Sequence, residues 1–341
     1  MDTFYPYRIA WHKPKDINVC AESRAKILDA MEYGFPTSKH RLEILSDMGS
    51  TTVRYAYRQL IREGVLQLEY GPDPDSGRAS DLITPVRYPV LPVLEITDTH
   101  MVWRLCDTLG DSVFATVRDR GGFCSPEDDL TILMGQVSKI LRAGTCGLPA
   151  KVPLQPPVLI LPSSEQAFIR TIRHVFEQSP AFVQTPEEAA AAELRYHPTT
   201  RNTTSILHLR MGETPAVTLF LRTHSDDPSS PFAPAVCGGG LSETFRAYTQ
   251  DASPHTKAWW QQIAAFLADA CRFITPDCVV VETDRPRVSL PIRPEMFPRS
   301  TRVIRMRYAL NTPSLAHRGA VRLNRRILWD SMMGDSPEYT L

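Results

Sequence analysis

The sequence predicts an α/β chain in two parts, and two observations carry that reading. Residues 21–88 hold three amphipathic helical stretches followed by two alternating strands. From residue 89 onward, strands come in threes and are followed by helices, and this order is given twice. A chain of 341 residues is long enough for such a division into units with their own cores.

In the head, AESRAKILDAMEYG places Ile27, Leu28 and Met31 on one helical face. SKHRLEILSDMG is a second helix, ending at Gly49. Ser50 is placed to cap the third, STTVRYAYRQLIREG, whose inner stripe is Val53, Tyr57, Leu60 and Ile61. The opposite stripe carries Thr51, Arg54, Tyr55 and Arg58. Gly64 ends this helix, VLQLEY alternates as a strand, GPDPDSG is a turn, and RASDLITP is the return strand. Three helices with a basic third, then a hairpin, describe a winged helix-turn-helix over residues 21–88.

That geometry implies a partner. A helix fits the major groove of double-stranded DNA, where Arg54 and Arg58 are placed to meet phosphates or guanine edges. Thr51, Thr52 and Tyr55 add hydroxyl groups, and Arg78, beside Gly77 at the wing tip, suits the minor groove. The plain alternative is a solvated helix face on a module that binds only protein. The head is not net basic, so useful affinity is expected to depend on dimerisation.

In the body, VLEITDTHMVWRLCDTLGDSVFATVRDR reads as three strands that each turn back on the last. A long amphipathic helix spans residues 127–141. PPVLILP is a short strand, SEQAFIRTIRHVFEQ a helix, and PAFVQ a strand running into a helix start. There Thr185 is a good N-cap, Pro186 suits the first helical position, and Glu188 completes a capping box. Residues 204–210 and 216–222 form an antiparallel pair, LSETFRAYTQ and residues 257–273 are helical, and residues 278–282 are a buried strand. Two such halves, about 89–200 and 201–341, have the element order of a duplicated ribonuclease-H-like body of the actin-like ATPase type.

Composition narrows the classes. Lys plus Arg and Asp plus Glu are both 38, so nucleic-acid contact has to come from a local basic surface. The seven cysteines show no C-x-x-C pair, and their odd number, with no secretory signal, predicts a reducing cytoplasm. No apolar run approaches a membrane span. Residues 1–20 are an N-terminal extension of unassigned role.

Several stretches resemble the ROK family, named for repressors, open reading frames and sugar kinases. SGRASDLITP is similar to the wing and exit strand of its repressors, and PAFVQTPEEAAAAEL to its P-V-x-V-x-N-D-A-x-A-A-A corner. CGGGLSETFRAY looks like a reduced form of C-x-C-G-x-x-G-C-L-E-x-Y. CRFITPDCVVVET resembles N-L-x-D-P-x-x-V-V-I-G-G, and SLAHRGAVRL the closing G-A-A helix.

The resemblance also implies losses. The family's kinases carry D-x-G-G-T at the first hairpin, where this chain has Glu95-Ile-Thr97-Asp98-Thr. Side chains stand where backbone amides face phosphate, and Asp98 adds repulsion. Of the second phosphate loop, G-T-G-x-G, only Gly212 is kept. The catalytic Asn-Asp pair aligns with Thr185 and Pro186, and proline accepts no proton. A one- or two-residue slip would offer Glu187 or Glu188, but capping explains Glu188 more simply. The family's zinc is held by one His and three Cys, whereas Cys237 stands alone and His224 lies in a polar loop, so neither metal nor cofactor is expected.

The expectation is therefore a cytoplasmic transcriptional regulator, a repressor by type, with a pseudokinase body that forms a homodimer or higher homo-oligomer. A small-molecule effector of unassigned identity fits the same body. The alternatives are a divergent ATP-dependent sugar kinase with an appended winged helix, and a protein-interaction scaffold.

Overall fold

The computed structural model describes residues 21–87, 90–97, 99–120, 125–143, 157–161, 182–211, 215–225, 227, 230–235, 238–251, 256–283, 297–298, 301–307 and 312–333. The N-terminal extension, the helix expected after residue 164, Asp98, Gly212 and Cys237 lie outside them. Compact units are formed by residues 1–183 with 320–341, and by residues 184–319.

The first unit opens with helices α1 (Ala21–Met31), α2 (Lys39–Ser46) and α3 (Ser50–Arg62), then the hairpin of β1 (Leu66–Pro72) and β2 (Ala79–Pro85). Ile27, Leu28 and Met31 of α1 meet Leu42 of α2, Val53, Ala56 and Leu60 of α3, and Leu66 and Ile83 of the hairpin. Tyr57 and Ile61 pack at the edge of this core. Its last member is distant in sequence: Trp329, 1 % exposed, from the C-terminal helix α8 (Leu315–Met333).

A five-stranded sheet follows, from β3 (Leu91–Ile96), β4 (His100–Cys106), β5 (Ser112–Asp119), β6 (Val158–Ile160) and β7 (Phe182–Gln184), in the order β5-β4-β3-β6-β7. β3, β4 and β5 are antiparallel neighbours, and β6 runs parallel to β3. Helix α4 (Pro126–Ala143) covers one face with Leu130, Leu133 and Val137 against Leu94, Met101, Trp103 and Leu159.

The second unit repeats the arrangement. Strands β8 (Ser205–Met211), β9 (Ala216–Arg222), β10 (Phe232–Pro234), β11 (Cys278–Thr283) and β12 (Arg302–Arg307) form a sheet in the order β10-β9-β8-β11-β12. In both sheets the third, second and first strands are followed by the fourth and fifth. Both also pair the first strand antiparallel with the second and parallel with the fourth. The duplicated order read from the sequence is thus present as topology. Helices α6 (Gly238–Thr249) and α7 (Lys257–Ile274) cover one face of the second sheet through Phe245, Trp259, Ile263, Phe266 and Leu267. Helix α5 (Pro186–Tyr196) covers the other with Ala190, Ala191 and Leu194 against Ile206, Phe220 and Val280.

Two polar devices hold this second sheet. The Asp277 carboxylate accepts from Thr204 N–H at 2.7 Å and Ser205 N–H at 3.2 Å, fixing the start of β8 beside β11. Arg222 is buried and donates to the carbonyls of Thr203, Ser230 and Arg201 at 2.9, 2.6 and 2.8 Å, its guanidinium 4.3 Å from the Phe232 ring.

Candidate nucleic-acid interface

The connector between α2 and α3 sets the direction of the third helix. Ser38 caps α2, accepting from Arg41 N–H at 3.3 Å, and Asp47 closes it in the left-handed region at φ 49°. Short polar side chains visit that region more readily than most. One expectation is corrected here: Gly49, not Ser50, is the N-cap of α3, and it makes no side-chain bond. Ser50 is the first helical residue, and its hydroxyl accepts from Lys39 Nζ at 2.6 Å, tying the starts of α2 and α3 together.

Burial divides α3 cleanly. Val53, Ala56 and Leu60 are sealed in the core, which leaves Thr51, Thr52, Arg54, Tyr55 and Arg58 exposed. The Arg54 guanidinium lies 5.6 Å from the Tyr55 ring, so the two side chains extend one mixed cationic and aromatic surface. The structure therefore brings five of the six residues singled out from the sequence onto one face.

The sixth, Arg78, sits on the hairpin turn. That turn is closed by its own backbone: Asp73 N–H donates to Arg78 O at 2.8 Å, and Gly77 N–H to Asp73 O at 2.7 Å. The Asp73 carboxylate accepts from Asp75 N–H and Ser76 Oγ, and Gly77 at φ +68° lets the chain turn back. Arg78 follows it, fully outward. An ion pair of 2.8 Å between Arg41 and Asp75 attaches the turn to α2. The hairpin also carries Glu69, Asp73, Asp75 and Asp81, so positive charge is concentrated on α3 rather than on the hairpin.

In the body, the β3–β4 turn and the β7–α5 corner are the places that the sequence marks for phosphate and sugar. At the β3–β4 turn, Thr97 Oγ1 accepts from the amides of Thr99 and His100 at 3.4 and 3.0 Å, and Thr97 N–H donates to His100 O at 2.9 Å. The described amides of Thr99 and His100 thus bond to the turn's own threonine. Glu95 is half-buried on β3 and interacts electrostatically with buried Arg104 on β4. At the β7–α5 corner the capping box is complete, with Glu188 N–H donating to Thr185 Oγ1 at 3.2 Å and Thr185 N–H to Glu188 Oε2 at 2.8 Å. Pro186 is the first helical residue and is buried. Every polar group of Thr185 and Glu188 named here is engaged in holding the helix start.

The buried pair of His208 and Glu282 was not singled out from the sequence. His208 Nε2 lies 3.2 Å from Glu282 Oε2, and Glu282 Oε1 accepts from Leu315 N–H at 2.6 Å at the first turn of α8. Burial pushes the Glu282 carboxyl up, but His208 and the Leu315 amide outweigh it and hold the group below the ordinary glutamate value. Glu282 and Thr283 stand where the resembling motif ends in two glycines. Among the described residues, no group of three or more His, Cys, Asp or Glu side chains is arranged to hold a metal ion, and no helix is long and apolar enough to cross a membrane. Cys106, Cys271 and Cys278 are buried thiols pushed up to about 12 by desolvation.

Comparison with solved structures places this geometry. The crystal structure of a ROK family transcriptional regulator, described as a homologue of the E. coli MLC protein, matches with a TM-score of 0.54 at 11% identity, covering 91% of this chain and 100% of that one. The fold is the ROK fold. A match over 91% of the chain is longer than the body alone. A ROK hexokinase from Thermus thermophilus matches with a TM-score of 0.46 at 13% identity over 71% of this chain and 100% of that one. A ROK family glucokinase from Streptomyces griseus matches with a TM-score of 0.43 at 11% identity over 70% of this chain and 100% of that one. No family model and no curated protein sequence matches the chain. The ROK fold is therefore recognisable in backbone topology at an identity where sequence comparison finds nothing.

Proposed function

We propose that residues 21–87 are a winged helix-turn-helix that binds double-stranded DNA, and that the protein is a transcriptional regulator of repressor type. The observation that carries this reading is the α3 face, on which Thr51, Thr52, Arg54, Tyr55 and Arg58 are exposed together while the opposite stripe seals the core. A helix presenting arginine, hydroxyl and aromatic groups along one side suits the major groove. Arg78 on its hydrogen-bonded turn suits an adjacent groove or phosphate.

The ROK-fold body serves on this reading as a dimerising and effector-sensing part, not as a kinase. The self-bonded β3–β4 turn and the Thr185–Pro186 corner support that assignment, because the described amides of Thr99 and His100 bond to Thr97 and the position aligned with the family's base is a proline at the helix start. Dimerisation would present two α3 helices to a roughly palindromic site. The proposed location is the cytoplasm.

Fluorescence anisotropy with DNA from upstream of the protein's own gene tests the reading. Arg54→Ala and Arg58→Ala are each expected to cost about 1–3 kcal/mol and to lower the salt slope by about one where the contact is to phosphate. Binding without sequence preference, or an Arg54→Ala/Arg58→Ala protein that binds as the parent does, would end it. Isothermal titration with Mg-ATP and hexoses is the cross-check, and clear ATP binding would favour the kinase reading instead.

A further inference from the structure

Far along the chain from the α3 face, α8 makes a buried polar contact with the head. Glu32, just after α1, is 4 % exposed. Its carboxylate meets two arginines of α8: Arg322 Nη1 at 2.6 Å, and Arg325 through Nε at 3.0 Å and through Nη2. Burial alone would push this carboxyl up; Arg325 and Arg322 reverse that and hold it low. Arg325, 2 % exposed, also lies 4.9 Å from the Phe35 ring and 5.3 Å from that of Trp329, the side chain that completes the head core.

The same helix grips the neighbouring sheet. Arg325 Nη1 donates to Thr108 O at 2.8 Å, and Asn324 Nδ2 to Pro92 O at 3.1 Å. Thr108 in turn holds the linker after β2, its hydroxyl donating to Val86 O and its amide to Arg87 O. Arg87 pairs with Asp107 and Asp111. Head, linker and first sheet are thus joined through one segment of α8.

We propose that Arg322 and Arg325 are positioning residues for DNA binding: α8 is the fourth helix of the DNA-reading head, and operator affinity depends on its docking against Glu32. This rests on the DNA-binding reading above. The physical reason is the asymmetry of buried charge. A carboxylate sealed from water and stripped of its cations is costly, whereas removing all three charges together is close to neutral. A head with undocked α8 occupies its DNA-competent arrangement only part of the time, and apparent affinity falls by that fraction.

The test uses the full chain in four forms: parent, Arg322→Met/Arg325→Met, the triple Glu32→Leu/Arg322→Met/Arg325→Met, and Arg54→Ala. The double variant is expected to lose roughly tenfold or more in operator affinity. Its salt slope should stay that of the parent, because the α8 arginines touch no phosphate, whereas Arg54→Ala lowers the slope. Amides of residues 21–62 should exchange faster in the double variant. The triple variant should recover much of both affinity and protection, short of what the lost Arg325–Thr108 hydrogen bond costs, which also covers a double variant that fails to fold.

Parent-like affinity in the double variant overturns the proposal, as does a fall in its salt slope, or a triple variant no better than the double. Absence of DNA binding in the parent would sink the DNA reading on its own. The exchange comparison then still judges the docking, and unchanged protection in the double variant would refute it.

Discussion

Replacing Gly319 with alanine should destabilise the protein, although in an ordinary helix interior the same change stabilises. A Cβ at Gly319 would stand 1.7 Å from Ala189 O, 2.7 Å from Ala189 C and 3.3 Å from Glu193 N, all backbone atoms of α5. An unstrained carbon–oxygen contact is about 3.3 Å, so the two helices would have to part by about 1.5 Å. α5 has little room to retreat, because Ala190, Ala191 and Leu194 are packed on Ile206, Phe220 and Val280 of the second sheet. Overpacking of this kind costs about 1–3 kcal/mol or somewhat more, against which alanine recovers about 1 kcal/mol of helix propensity. The net expectation is a loss of roughly 1–2 kcal/mol, towards the upper end because the clash is with backbone atoms. The control is Gly135→Ala in α4, where a Cβ meets nothing within 4 Å and a gain of about 0.5–1 kcal/mol is expected. Urea unfolding followed by tryptophan fluorescence reads both. If Gly319→Ala is as stable as the parent, or both variants shift the same way, the close approach of α5 and α8 is wrong.

Removing the Thr185 hydroxyl (Thr185→Ala) should cost about 1 kcal/mol, the usual worth of an N-cap, with no change in any ligand affinity; a large functional effect with parent stability would contradict the capping role. Arg222→Ala leaves three carbonyls, two of them in buried hydrogen bonds, without their charged donor, and a loss of roughly 2–4 kcal/mol in the same urea assay is expected, so parent-like stability would count against it. Glu32 is held below its ordinary value of 4.5, so the stability it contributes is complete above that value and is lost as pH falls through the folded value. Glu32→Gln should therefore flatten the acid limb of the melting-temperature profile, and an unchanged limb would remove Glu32 from the account. Cys106, Cys271 and Cys278 should resist alkylation at neutral pH until the protein unfolds, and mass-spectrometric labelling of any of them in the native state would refute their burial.

Elements with a clear period were legible in the sequence. The α3 stripe repeats at helical spacing, and the structure seals Val53 and Leu60 while leaving Arg54 and Arg58 outside. The capping box at Thr185 could be read because its partners are three residues apart. What escaped depends on separation in the chain. His208 and Glu282 are 74 residues apart, and each looks ordinary in its own strand. Glu32 and Arg325 are 293 apart, and nothing in the local spacing of RLNRRILW marks which of its arginines has a buried partner. Arg325 is buried because α8 is flanked on two sides, by the head core and by the β4–β5 turn at Thr108, which periodicity in one helix does not reveal. The Ser50 cap was misplaced by one residue because Gly49 needs no side chain to start a helix whose first hydroxyl is taken by Lys39.

The β7–α5 corner shows why this fold outlasts its resemblance in sequence. Its structural needs are a cap, a proline at the first helical position and small residues where α8 crosses, and FVQTPEEAAAAE supplies all three. None of these needs specifies the chemistry at the strand end, where Thr185 serves helix initiation as well as asparagine would. The β3–β4 turn behaves alike: with threonine in place of glycine, the amides bond to Thr97 Oγ1 and the strands keep their register. Packing and chemistry are carried by different residues at both places, so on the regulator reading one set could drift while the other stayed. Among the described residues, the densest coupling between distant parts of the chain lies instead in the contacts between α8, the head and the first sheet, where Arg322, Arg325 and Trp329 meet Glu32, Thr108 and the core of α1 to α3.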